Sequence, residues 1–216
     1  MTTGAENNQA TWSAIVLAAG AGRRFGGRKL LAAFEGGVLV EAALATAFAS
    51  PASTTILVTG SEADEMAAVA SAFAERLGQR DRLQIIHAAD HAEGMGASLR
   101  AGAAALAADA AGAFVFLGDM PRIPPAILPR LIEAVEDGAA AAAPVCGGRR
   151  GHPVLFGTEL FDHLRQAAGD EGARAALAGL GSRLALIETD DVGVLFDIDR
   201  PEDLGARPKP SQTAAP

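Results

Sequence analysis

The sequence predicts an α/β fold built on a mostly parallel sheet. Three observations carry that expectation. Short apolar or β-branched runs alternate with helix-like segments along most of the chain, the pattern of successive right-handed βαβ units. The first and fourth apolar runs stop in loops rich in Gly and charge, at Gly20 and at Gly118-Asp119. The length of 216 residues suits one domain, since domains run to roughly 150 residues. A chain of that size buries enough surface for a full core without staples.

Each element has its own warrant. Ser13–Ala18 is a short apolar run ending in a Gly/Arg loop, the mark of a buried strand. Val38–Ala49 is an apolar, alanine-rich helix stopped by Ser50-Pro51. Thr54–Thr59 is β-branched and reads as a strand. Glu62–Leu77 has acids in its first turn, Arg76 in its last and Gly78 as its stop, so it reads as a helix. Leu83–His87 follows as a strand, Gly96–Ala108 as a helix and Ala113–Leu117 as a fourth strand. Pro124–Glu136 is a helix with prolines in its first turn, where a missing N–H costs nothing. Ala139–Val145 reads as a fifth strand. Residues 1–11 read as a disordered lead, 12–205 as the single domain and 206–216, with three prolines, as a flexible tail.

Composition narrows the function classes. Half of the residues are hydrophobic, but aromatics are only 5% and Tyr is absent. The core is therefore expected to be packed by Ala, Val, Leu, Ile and a few Phe. The formal net charge of -8 argues against nucleic acid or an anionic membrane as partner. The single cysteine, Cys146, excludes a disulfide framework and a multi-cysteine zinc site. The first eleven residues lack a basic region, and the alanine-rich stretch 101–115 is broken by Gly102, Asp109 and Gly112. A soluble cytoplasmic protein is the expectation.

In parallel sheets, ligands bind outside the carboxyl ends of the strands. The loop after the first strand reads L-A-A-G-A-G-R-R-F-G-G-R-K from Leu17 to Lys29. Its glycines let the backbone approach a ligand and turn N–H groups inward. Arg23, Arg24, Arg28 and Lys29 make a local positive pole on an acidic chain, and a phosphate chain is its natural guest. The spacing fails the dinucleotide fingerprint, because Gly26 comes one residue late, and fails the Walker A loop, because Arg28-Lys29 follows Gly27.

Three further segments carry chemistry. Asp90–Gly102 (D-H-A-E-G-M-G-A-S-L-R-A-G) is a glycine loop entering a helix, suited to anion or base-edge recognition. Ser98 there reads equally well as a helix-capping hydroxyl. Leu117–Pro121 (L-G-D-M-P) places Asp119 just past a buried strand. A carboxylate there suits Mg²⁺, which takes one or two carboxylates and fills its shell with phosphate oxygens and water. Asp197 and Asp199 alternate about Ile198 and face one side of an extended segment, where they repel unless a cation lies between them.

These strings together resemble one family. LAAGAGRRFGGRKLL is similar to the signature of nucleotidyltransferases that charge small molecules with an NMP, and more narrowly to the cytidylyl branch of the MobA-like family. The resemblance covers nearly all of Ser13–Leu204, in order. It implies a three-layer α/β/α, Rossmann-like domain with a mixed, mainly parallel sheet of the nucleotide-diphospho-sugar transferase type. It implies that Leu17, Ala18, Ala19, Gly20, Gly22, Arg24 and Lys29 wrap the nucleotide, with Arg24 and Lys29 on its phosphates. Ala19 favours the cytidylyl branch, because the guanylyl branch typically reads L-A-G-G. The E-G-M-x-x-S-L-x-x-G match assigns Asp90, Gly94 and Ser98 to the nucleotide, although Ala88-Ala89 stands where the family often has Asn-Pro. The L-G-D-M-P match makes Asp119 a catalytic metal ligand. D-I-D-R-P-E-D-L, with Arg200 for the usual Thr, adds Asp199 as a second metal contact. G-G-R-R-G-H-P-V-L-F and G-D-E-G-A-R place Arg149, Arg150, His152, Asp170 and Arg174 on the acceptor side. His152 also fits an ordinary loop position, and Asp170 also fits a helix cap.

The resemblance implies Mg²⁺ as cofactor, and CTP and molybdopterin as substrates. The product would be molybdopterin cytosine dinucleotide, with a recipient molybdoenzyme as a further partner. Other NTP–acceptor pairs, GTP with molybdopterin or another NTP with a sugar phosphate, remain open at this stage. So does a non-catalytic chaperone, although the joint presence of Lys29 and Asp119 argues for turnover.

Overall fold

The computed structural model describes residues 10–170 and 172–206. In chain order the elements are β1 (Thr11–Ala18), β2 (Ala33–Phe34), β3 (Gly37–Val38), α1 (Leu39–Ala49), β4 (Ala52–Thr59), α2 (Ala63–Arg76) and β5 (Leu83–His87). There follow α3 (Met95–Ala104), β6 (Ala110–Leu117), α4 (Ile127–Glu136), β7 (Ala141–Cys146), β8 (Arg149–Arg150), β9 (Val154–Gly157), α5 (Phe161–Arg165), α6 (Ala173–Leu177) and β10 (Leu184–Glu188). Short 3-10 turns fill several of the loops.

The main sheet runs β10-β7-β9-β6-β1-β4-β5, with β8 paired to β7. β1 lies parallel to β4 on one side and to β6 on the other. β5 is parallel to β4, and β10 to β7. β9 alone is reversed within this order, antiparallel to both β6 and β7. The sheet is thus mixed and mainly parallel, as expected.

Period-two alternation along β1 builds the two outer layers. Ala14 and Val16 join one apolar cluster with Leu39, Leu44, Phe116 and Leu131 from the α1 and α4 side. Ile15 and Leu17 join the opposite cluster with Leu99, Phe156 and Leu164 on the α3 and α5 side. Burial on both faces explains why β1 reads as a continuous apolar run.

The boundaries differ from expectation in instructive ways. β1 begins at Thr11, inside the expected lead, because Thr11 still pairs with Ala110. α3 ends at Ala104 rather than Ala108, since Leu106 and Ala110 must both turn inward to be buried. α4 begins at Ile127. Pro124 and Pro125 instead form the preceding turn, their carbonyls accepting from Ile127 and Leu128 N–H. Residues 1–9 and 207–216 of the expected lead and tail lie outside the described residues. Among the described residues no helix is long and apolar enough to cross a membrane.

Candidate active site

The carboxyl ends of β1, β4 and β6 converge on one cleft. After β1 the chain passes through buried Ala18 and Ala19 into the glycine loop. Gly22 adopts a left-handed conformation with φ of 57°, and a Cβ on it would stand 2.8 Å from Lys29 Cβ. Glycine here lets the loop close back onto the lysine. A second close approach lies just past β4, where a Cβ on Gly60 would stand 2.3 Å from the Ala19 carbonyl oxygen. Any side chain at Gly60 would push the start of the glycine loop.

Three segments are stitched together below this loop. Gly118 N–H donates to Leu17 O at 2.9 Å, and Ile198 N–H donates to Asp119 O at 3.0 Å. Lys29 Nζ then stands 2.7 Å from Asp119 Oδ2 and 3.6 Å from Asp199 Oδ1. The lysine side chain is only 12% exposed and Asp119 25%, so this pair is largely withdrawn from solvent. Arg24 Nη1 reaches Asp199 Oδ2 at 3.3 Å but is 81% exposed, which makes its contribution small.

The charges here do not balance. Asp119, Asp197 and Asp199 share one neighbourhood with Lys29. Burial raises the Asp197 carboxyl above the usual carboxylate range, and the negative charges of Asp119 and Asp199 raise it further. Lys29 and Arg24 pair with Asp119 and Asp199, and neither forms an ion pair with Asp197. Among the described residues no three His, Cys, Asp or Glu side chains form a metal cage. Asp119 and Asp199 supply the two-carboxylate donor set that Mg²⁺ accepts when substrate oxygens and water complete its shell. The surplus of negative charge fits a divalent cation arriving with its substrate.

The cleft above these groups encloses about 380 Å³ and is lined by Leu17, Ala19, Gly20, Gly22, Lys29 and Asp119. His91, Gly94, Met95 and Ser98 line it as well. Ser98 is the fourth residue of α3, whose N-cap is Gly94, so Ser98 is a wall residue and not a cap. A second cavity of about 230 Å³ shares Met95, Leu117 and Asp170 with the first and adds Arg150, His152 and Arg174. The two cavities are therefore neighbours that share part of one wall. Asp170 stands where they meet, and the N-cap of α6 is Gly172 instead.

Five expected residues line neither cavity: Ala18, Arg24, Asp90, Arg149 and Asp199. Ala18 is packed in an apolar cluster, and Arg24 and Asp199 border a separate recess that Gly22 and Lys29 also line. Arg100 binds the Asp90 carboxylate and holds it below the usual range, chiefly through that hydrogen bond. Arg100 also donates from Nη1 to Ala167 O at 2.7 Å, so Asp90 acts through Arg100 to fix one wall of the cleft. Arg149 lies on β8 beside Arg150. Neighbouring strand residues point to opposite faces, and only Arg150 lines the second cavity. His152 is kept neutral by burial, which lowers its pKa, and its Nδ1 has no hydrogen-bond partner. Two lining residues, His91 and Met95, had no assigned role in the sequence reading, although both lie inside the D-H-A-E-G-M string.

A Gly-rich strand-end loop, a lysine bonded to a strand-end aspartate and a mainly parallel sheet with one reversed strand define the class of Rossmann-like nucleotidyltransferases. The chain belongs to the family of the MobA-like NTP transferase domain, which matches residues 14–186, and it is a nucleotidyltransferase. It is 29% identical over 189 residues to molybdenum cofactor cytidylyltransferase of Escherichia coli K12, covering 88% of this chain and 91% of that protein. It is equally 29% identical to purine catabolism protein PucB of Bacillus subtilis 168, covering 88% and 92%. Among solved structures it is similar to Rv0371c of Mycobacterium tuberculosis H37Rv, with TM-score 0.75, 25% identity and 90% and 95% of the two chains covered. That mycobacterial protein has also been solved in complex with manganese; this chain matches it with TM-score 0.71 and 24% identity over 90% and 96% of the two chains.

Proposed function

We propose that this enzyme transfers CMP from CTP to the terminal phosphate of molybdenum-bound molybdopterin. The products would be molybdopterin cytosine dinucleotide, for delivery to a molybdoenzyme, and pyrophosphate. The observation that carries the proposal is the Lys29–Asp119 pair lining a cleft that shares a wall with a second, arginine-lined cavity. One cavity takes the nucleotide and the other the acceptor. Support for cytidine comes from Ala19, which lines the first cavity, and from the named activity of the Escherichia coli relative.

In the reaction an acceptor phosphate oxygen bonds to the α-phosphorus while the bond to the β-phosphate breaks. A phosphate oxygen is already nucleophilic, so no general base is required, and catalysis rests on positioning and charge. The loop from Ala18 to Gly22 brings backbone against the triphosphate. Lys29, turned from its carboxylates to phosphate oxygens, and Arg24 neutralise the departing pyrophosphate. Arg150 and Arg174 hold the acceptor phosphate, and neutral His152 adds an uncharged polar edge beside them. Mg²⁺ held by Asp119 and Asp199 would supply further charge neutralisation at the phosphate oxygens.

The test is pyrophosphate release with Mg²⁺, molybdopterin and each NTP in turn. Release with CTP alone is expected, whereas release with GTP alone would overturn the base assignment. The two arginines of β8 give a sharper prediction for the acceptor side. Arg150→Ala raises the acceptor KM roughly tenfold or more, the scale of a lost charge-assisted hydrogen bond. Arg149→Ala leaves it unchanged. Steady-state kinetics with varied acceptor separates the two.

A further inference from the structure

We infer that His91 is a specificity-determining residue that reads the amino group of the nucleotide base through its Nε2. This inference rests on the proposed binding of a cytidine nucleotide in the first cavity. The argument starts from a hydrogen bond on the other side of the ring. His91 Nδ1 lies 2.9 Å from Ala88 O. A carbonyl oxygen only accepts, so Nδ1 is the donor in this bond, and in the tautomer whose one proton sits there Nε2 presents a lone pair.

That tautomer is held in place by a fixed anchor. Ala88 is buried, and its own N–H donates to Thr59 O at 2.9 Å. The Ala88 carbonyl also accepts from His91 N–H at 3.1 Å. The ring is thus pinned at its backbone edge to the end of β4. It lines the cleft together with Gly94 and Ser98, and Gly22 and Lys29 line the same cleft. A base placed in that cleft would meet the acceptor edge of His91.

The chemistry then discriminates. The 4-amino group of cytosine donates a hydrogen bond to a lone pair. The 4-oxo group of uracil presents its own lone pairs and is repelled. A site built to pair a polar group rejects the analogue that lacks the matching partner far more strongly than an apolar pocket does. His91 therefore favours the amino pyrimidine over the oxo pyrimidine.

The experiment measures Kd for CTP, UTP and the triphosphate of pyrimidin-2-one riboside, which lacks any 4-substituent, in the presence of Mg²⁺. The full chain, His91→Asn and His91→Gln are compared. Asn places an amide nitrogen where Nδ1 stands and keeps the bond to Ala88, but offers nothing at the position of Nε2. Gln places an amide oxygen near that position. The wild-type chain is expected to bind CTP roughly tenfold or more tightly than the other two ligands. H91N loses that preference and H91Q recovers part of it. Equal wild-type affinities for CTP and UTP would overturn the inference. So would a preference retained in H91N, which would mean that His91 only braces the turn. Selective CTP binding without pyrophosphate release from molybdopterin would leave the base inference standing and sink the proposed reaction.

Discussion

Replacing Asp119 by Asn lowers kcat for pyrophosphate release by roughly a thousandfold or more while the fold persists. Asn keeps the shape and leaves the main-chain bond from Ile198 N–H to the residue 119 carbonyl in place. What is lost is one negative charge at the end of β6, 2.7 Å from Lys29 Nζ. Removing one preorganised charge-stabilising group from an active site costs roughly 10²–10³ in rate, and loss of a metal contact adds several kcal/mol more. A purely structural Asp119 would behave differently. D119N would then lower the melting temperature and raise the nucleotide KM, with kcat near wild type. Circular dichroism melts beside steady-state kinetics separate these outcomes.

Lys29→Met is expected to lower kcat/KM for the nucleotide by a similar factor, about a thousandfold. Methionine matches the length of the lysine stem but leaves Asp119 and Asp199 facing each other without the intervening cation. Both phosphate binding and neutralisation of the leaving pyrophosphate then suffer. Arg24→Ala provides the contrast. Arg24 is mostly exposed and among the described residues pairs only with Asp199, so solvent screens it and the expected loss is about tenfold or less. Equal losses in the two variants would place the phosphates over Arg24 and away from the buried lysine.

The parallel half of the fold was legible because β1, β4 and β6 are buried on both faces and read as unbroken apolar or β-branched runs. The β9 and β10 segments were not. β9 has four residues, and β10 leaves Leu186 half exposed at the sheet edge, so neither produces a clear period. The site divides in the same way. Asp119 stood out by its position just past β6, and Lys29 by the cations and glycines of the loop after β1 and by the family resemblance. Parity on β8 decided between Arg149 and Arg150, and only the pairing with β7 fixes that parity. The resemblance assigns Asp90 to the nucleotide, but its carboxylate is held by Arg100, ten residues along the chain on α3, a pairing that the loop's sequence does not signal. His91 carried no spacing signal, and its role depends on which of its nitrogens meets Ala88.

The acidic composition has also become more specific. A net charge of -8 still argues against polyanionic macromolecules, yet Lys29 in the cleft and Arg24 outside it stand beside carboxylates that a divalent cation would neutralise. The charge pattern suits one small triphosphate. The most direct measurement uses CTP labelled at the α-phosphate, incubated with Mg²⁺, molybdopterin and the full chain. Label moving into a dinucleotide in step with released pyrophosphate is the predicted result. Label remaining in CTP, or appearing only as free CMP, would contradict group transfer between the two cavities.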